Sequence, residues 1–129
     1  MSLVNGTNEN DYLFGGFAAD SIFGFQGFDV LLGFEGNDWR EGGGGNDTLE
    51  GSPVFDSEVP VTYRADTLIG GNGSDFIVSG HFLYDLNEGL YLDFFGKDSV
   101  LAGSGNDTVV IAGSLQSTLN GGEGQDVLW

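Results

Sequence analysis

Gly42-Gly-Gly-Gly-Asn-Asp-Thr-Leu-Glu50 is a nine-residue unit whose form recurs along the chain. The unit before it opens Gly33-Phe-Glu-Gly-Asn-Asp38, with the same placing of Gly, Asn and Asp. Outward toward the N-terminus, aspartates continue at Asp29, Asp20 and Asp11, again in steps of nine. Neither a helix nor a flat sheet needs a carboxylate at this interval. A chain that coils back to the same turn after each short strand does, and so regular a period fixes the architecture.

Toward the C-terminus the frame continues with small slips. Asp56 keeps the step of nine, Asp66 follows at ten, Asp75 at nine and Asp85 at ten. Asp98 comes after a longer excursion, then Asp107 at nine and Asp126 at nineteen. Two more well-formed copies are Gly70-Gly-Asn-Gly-Ser-Asp-Phe-Ile-Val78 and Gly121-Gly-Glu-Gly-Gln-Asp-Val-Leu-Trp129. Counted from the first glycine, Asp holds place six. Place eight is aliphatic: Leu13, Ile22, Leu31, Leu49, Leu68, Ile77, Val100, Val109 and Leu128.

Six residues rich in Gly, Asn and Asp read as a turn, and the remaining three as a short strand. Alternation in a strand sends place eight inward and places seven and nine outward. Two repeats close one coil of 18 residues. Coils stacked at the interstrand spacing of roughly 4.8 Å would number about seven and form a rod on the order of 30 Å long. Turns on one side are two repeats apart, so Asp11, Asp29 and Asp47 are expected on one edge and Asp20, Asp38 and Asp56 on the other.

These units resemble the RTX (haemolysin-type calcium-binding) nonapeptide, G-G-x-G-x-D-x-U-x, over nearly the whole chain. The resemblance implies a right-handed parallel β-roll, a two-sheet all-β solenoid with calcium ions in its turns, found in bacterial proteins exported by type I secretion. The expected form here is a single domain over 1–129, with irregular insertions near 52–65 and 80–95. The carboxylates expected to hold metal are Asp11, Asp20, Asp29, Asp38, Asp47, Asp66, Asp75, Asp98, Asp107 and Asp126. The turn glycines expected to join them are Gly27, Gly36, Gly45, Gly73, Gly105 and Gly124. Roughly four to eight oxygen-rich calcium sites are expected.

Composition leads to the same ion. Three basic residues against twenty acidic ones give a net charge of −17. Nucleic acid is excluded as a natural partner, since phosphate binding needs Lys and Arg. Stacked carboxylates repel and oppose a compact state. The twenty-four glycines add a large loss of backbone freedom on folding. A divalent cation between turns answers the repulsion. With no cysteine and one histidine, thiolate and imidazole metal sites are ruled out, and the oxygen ligands that remain suit calcium.

No stretch is long enough to span a membrane. No signal peptide is visible at Met1-Ser-Leu-Val-Asn-Gly, which fits either a domain of a larger protein or export by a C-terminal signal. The closing Asp126-Val-Leu-Trp129 reads more simply as places six to nine of a repeat.

Several positions depart from the pattern. Arg40 stands at place eight, where an aliphatic residue belongs. A lone buried guanidinium is costly. Arg40 is therefore expected at an edge or bent out to a carboxylate, or else Trp39 takes the inward position. The segment 52–63 holds both prolines and lacks the repeat glycines, which suggests a loop or irregular coil, and 80–95 is apolar and aromatic, which suggests a larger hydrophobic cluster or an extra strand. Near Gln116 and Ser117 the expected aspartate is missing. Tyr12, Phe14, Phe17, Phe23, Phe25, Phe28 and Phe34 crowd the outside of the first repeats, and exposed aromatic patches mark contact surfaces.

The functional expectation is a secreted, extracellular calcium-binding module that folds on binding calcium, not an enzyme, and part of a larger secreted protein. The alternative is an adhesion or polysaccharide-binding module whose aromatic surface meets a glycan, another domain of the parent protein or a second copy. Ice binding is disfavoured because place three reads Asn8, Phe17, Gln26, Glu35, Gly44 rather than a file of Thr. A nucleophile–His–acid set cannot be assembled around His81 alone.

Overall fold

The structure is a computed structural model that describes residues 1–50, 53–54, 65–79, 81–85, 89–93, 97–111 and 116–129. Among these residues there is no helix. One six-stranded sheet holds β1 (Leu3–Asn5), β3 (Ser21–Gln26), β5 (Trp39–Gly44), β8 (Thr67–Asn72), β12 (Ser99–Ser104) and β14 (Thr118–Glu123), in that order. The other holds β2 (Tyr12–Phe14), β4 (Val30–Leu32), β6 (Thr48–Glu50), β9 (Phe76–Ser79), β13 (Thr108–Ile111) and β15 (Val127–Leu128). Every pairing within these two sheets is parallel. The chain alternates between the sheets, two strands to a coil, which is a parallel β-roll.

The coil length follows the sequence register at first. Asp11 pairs with Asp29, and Asp29 with Asp47, 18 residues apart. The next step is 28 residues, Asp47 to Asp75, and the one after is 32, Asp75 to Asp107. Six rungs result rather than about seven, because β6 pairs directly with β9 and β5 with β8. For the same reason the second edge passes from Asp38 to Asp66 and not to Asp56. Asp56 lies outside the described residues, and so does the conformation of most of 52–65. Near 80–95 the extra strand is present. There β10 (His81–Asp85) and β11 (Gly89–Asp93) pair antiparallel, and β10 also pairs in parallel with β7 (Pro53–Val54), making a small third sheet.

The core is a thin double column of place-eight residues. Leu13, Ile22, Leu31, Leu49, Leu68, Ile77, Val100 and Val109 are buried, and Ala102 joins them from place one. Each fully buried aliphatic side chain contributes about 1.5–3 kcal/mol. Leu128 holds the same place in β15, at the C-terminal end of the second sheet, and is half exposed. Leu119, paired with Val100, extends the column at a repeat whose aspartate is missing.

Arg40 departs from expectation. It is fully buried, in register between Ile22 and Leu68, while Trp39 stays exposed. The strand keeps its alternation and drives the guanidinium into the core, where it finds a carboxylate, Asp66, at 2.5 Å.

Candidate metal centre

The aspartates form two ladders, one along each edge. In the first, the backbone N–H of Asp11 donates to Asp29 Oδ1 at 2.8 Å, and the contact repeats from Asp29 to Asp47, Asp47 to Asp75, Asp75 to Asp107 and Asp107 to Asp126. In the second it runs from Asp20 to Asp38 to Asp66 to Asp98 at 2.9–3.0 Å, and Ser117 Oγ then takes the carboxylate's part at 2.9 Å. Each ladder aspartate carbonyl before Asp126 also accepts the N–H of the place-seven residue one coil on, as Asp29 does from Thr48 at 2.8 Å. Outside these ladders the place-five side chains Asn10, Asn37, Asn46 and Asn106 each accept an N–H from the next coil. One carboxylate oxygen of each ladder aspartate after Asp11 is thereby committed to joining coils.

The fate of the other oxygen, Oδ2, divides the aspartates. Those of Asp29, Asp38, Asp47, Asp75 and Asp107 are buried with no hydrogen-bond partner. Asp11 Oδ2 accepts the Thr7 N–H at 2.6 Å and the Thr7 hydroxyl at 2.9 Å. Asp20 Oδ2 accepts the Gly16 N–H at 2.6 Å. Asp66 Oδ2 accepts from Arg40, and Asp98 Oδ2 from the Ser79 hydroxyl.

In the turns that the structure describes, turn geometry accounts for this division. All five orphaned carboxylates follow a turn with positive φ at both place two and place four: Phe25 and Gly27, Phe34 and Gly36, Gly43 and Gly45, Gly71 and Gly73, Gly103 and Gly105. In the first two turns place four is Glu9 or Ala18, and neither place is in the positive-φ region. There the place-two N–H reaches the carboxylate. Where place two adopts positive φ, no donor reaches the buried anionic oxygen. Gly124 and Gly122 repeat the positive-φ turn before Asp126, which is only partly buried.

An unpaired buried carboxylate is unfavourable, and its ionisation shifts accordingly. Burial raises Asp75 to about 7, against the N–H bond from Asp47 and with further upward pushes from the Asp47 and Asp107 charges. Burial likewise raises Asp38 and Asp47 to about 6. Asp29 and Asp107 are also raised by burial. For Asp20 burial acts in the same direction, but the Gly16 and Ser2 N–H groups outweigh it and the net shift is downward.

Among the described residues no three Asp, Glu or His side chains converge on one point. A cation held here must therefore draw many of its ligands from backbone carbonyls. The stacked turns bring such carbonyls close. A Cβ at Gly45 or Gly73 would collide with the carbonyl oxygen of Gly27 or Gly45, one coil back. Carboxylate plus carbonyl oxygen, with no nitrogen or sulfur, is the donor set of a hard and flexibly coordinated cation.

The RTX calcium-binding nonapeptide repeat, described by a family model of four copies, matches residues 5–39, 18–49, 62–80, 95–110 and 112–129. This chain belongs to the RTX calcium-binding repeat family. No curated protein matches it. RTX nonapeptide repeats bind calcium ions, and the orphaned Oδ2 atoms fit that ion. The RTX frame also shows what the aspartate period alone does not reveal: two carboxylates at place six need not be equivalent. Glycine at place four stands before each vacant oxygen, at Asp29, Asp38, Asp47, Asp75 and Asp107, and is absent before Asp11, Asp20 and Asp66. It is necessary but not sufficient, since Gly96 precedes Asp98, whose Oδ2 is bonded to Ser79, and Gly124 precedes the partly buried Asp126.

Proposed function

We propose that this chain is an extracellular calcium-binding module that folds on binding calcium and belongs to a larger secreted protein. Its role is structural rather than catalytic. The observation that carries this reading is the run of buried, partnerless Oδ2 atoms along one edge, at Asp29, Asp47, Asp75 and Asp107. Calcium between successive turns would take these oxygens together with carbonyls of Gly27, Gly45, Gly73 and Gly105, and would relieve the repulsion of a chain carrying −17. Extracellular modules bind calcium at about 10⁻⁴–10⁻³ M, which suits a chain that stays loose inside a cell and orders outside it.

The ladders make the reading testable by native mass spectrometry in saturating calcium. Asp47→Asn is expected to lower the number of bound ions. Asp11→Asn, whose Oδ2 already accepts two donors from Thr7, is expected to leave it unchanged. Equal counts in Asp47→Asn and the parent would remove the edge site.

A second reading rests on a separate observation. A 470 Å³ cavity on the outer face of the first sheet is lined by Phe23, Phe25, Asn8, Gln26, Glu41 and Asn72, among others. The rings of Phe23 and Phe25 stack with centroids 6.4 Å apart. Phe25 is held at φ 77°, at a place that Phe34 shares in the next turn and that glycine takes at Gly43, Gly71, Gly103 and Gly122. A non-glycine residue in this region costs of order 1–3 kcal/mol, and such strain concentrates at ligand sites. Aromatic faces beside amides and one carboxylate suit a neutral sugar. Phe25→Gly is expected to raise thermal stability while abolishing the signal on an array of neutral oligosaccharides. An array showing no signal for the parent disposes of this reading.

A further inference from the structure

The structure assigns Arg40 as a resident cation that stands in for a metal ion at the rung formed by Asp38 and Asp66. This rests on the calcium reading above and limits where calcium goes.

An arginine is an unlikely way to fill the place-eight column. Its neighbours Ile22 and Leu68 do so with aliphatic side chains. Replacing a buried ion pair by apolar residues of similar volume is often neutral or stabilising by about 1–4 kcal/mol. Arg40 therefore serves something other than packing. Its guanidinium bonds the Oδ2 of Asp66 at 2.5 Å and the backbone carbonyl of Glu50, while Nε has no partner. One carboxylate oxygen and one carbonyl oxygen is, in miniature, the donor set that the other edge leaves for calcium. The guanidinium also lies beside Asp38. A Cβ on Gly33 would stand 3.1 Å from Arg40 Cζ and closer still to Asp38 Oδ2. The charge of Arg40 favours the ionised form of Asp38, against the larger effect of burial.

The sequence shows why this rung needs its own cation. The turn before Asp66 reads Val61-Thr-Tyr-Arg64, with no glycine at any of places one to four. In the described turns, the orphaned Oδ2 atoms follow only those with glycine at place four. A turn without that glycine does not offer the same vacancy, and Asp66 Oδ2 takes a protein donor instead. Asp98, one coil on, has its Oδ2 bonded to Ser79. The second ladder is thus held by side chains from Asp66 onward. The first keeps its vacancies at every coil from Asp29 to Asp107.

The test is a crystal structure of the full chain grown in calcium, and again with terbium in its place, read by anomalous difference maps. Metal peaks between Asp47 and Asp75 with none at Asp66 are the expected result. A metal peak at Asp66 Oδ2 with Arg40 displaced overturns the assignment. No peak on either ladder overturns the calcium reading itself, and this inference with it. Arg40→Met is expected to gain a peak at Asp66, and Arg40→Lys, which keeps the charge, is not. A folded Arg40→Met with no metal at Asp66 overturns the stand-in role. If that variant does not fold, the parent's maps decide alone.

Discussion

Excess EDTA at about pH 8 is expected to remove most of the β-sheet circular dichroism of this chain, and a calcium titration to restore it along a steep curve. The physical basis is the set of unpartnered Oδ2 atoms, which are buried, close to neighbouring carboxylates and without donors. An ion that binds only the folded form stabilises it by RT ln(1 + [L]/Kd), roughly 1.4 kcal/mol per site at tenfold over Kd. About four such ions supply on the order of 5–6 kcal/mol, comparable with the whole margin of a small domain. Acid should partly replace the metal. Asp38 and Asp47 are raised to about 6 and Asp75 to about 7, so the folded form binds protons more tightly than the unfolded chain, where an aspartate has its ordinary value of 3.8. Stability from these groups is fully present below that unfolded value and is lost as pH rises through 6 and 7. In EDTA the chain should therefore show more β-structure near pH 5 than near pH 8. In calcium the same protonation competes with the ion, and the titration midpoint should move to higher calcium in acid. A spectrum indifferent to EDTA at either pH contradicts the account.

The second large effect concerns Gly73. Its φ is 129°, a region closed to residues with a side chain, and an added Cβ would run into the Gly45 carbonyl oxygen. That oxygen belongs to backbone and cannot swing aside, and it is one of the atoms placed to face the ion. Gly73→Ala is expected to cost more than about 3 kcal/mol, the upper end of the penalty for such a conformation, because the collision adds to it. In practice the variant should stay unordered at calcium concentrations that saturate the parent. Gly16→Ala is the matched control. Gly16 is outside the positive-φ region, and the nearest atom to its added Cβ is Asp20 Oδ2 at an ordinary 3.7 Å. There the expected change is neutral or a gain of about 0.4–1 kcal/mol from a stiffer unfolded chain. Calcium-dependent circular dichroism on the two variants separates a specific requirement at the turn from a general intolerance of side chains.

The architecture was largely legible because place six and place eight report different physics at the same period. The aliphatic place marks an inward strand position, and Ile22, Leu31, Leu49 and Leu68 lie where that predicts. Even the aspartate missing near Ser117 is accounted for, since a hydroxyl accepts the same N–H. Counting steps failed at Asp56, because the period says nothing about which residues a long coil leaves out of register, and Asp66 resumes the ladder. Arg40 was misplaced for a related reason. The cost of a lone buried charge is correct physics, but a partner 26 residues away is invisible until the coils stack. The inequality among carboxylates was hidden more deeply. It depends on the sign of φ two and four places into each turn, and Phe25 and Phe34 adopt it without being glycine.

Along both ladders the aspartate N–H points to the side chain of the coil that follows it in sequence, a carboxylate everywhere except at Asp98, where Ser117 accepts. The amide–carboxylate contacts of the ladders are therefore directional: the earlier coil donates and the later one accepts, while the carbonyl and Asn contacts beside them run the other way. Growth of the roll is vectorial. When calcium orders the chain, a coil lacks the acceptor for its own aspartate N–H until its successor has formed, so completion of each rung lags by one coil. A preformed segment bearing the matching acceptor face would relieve that lag, and one presented the wrong way round would not.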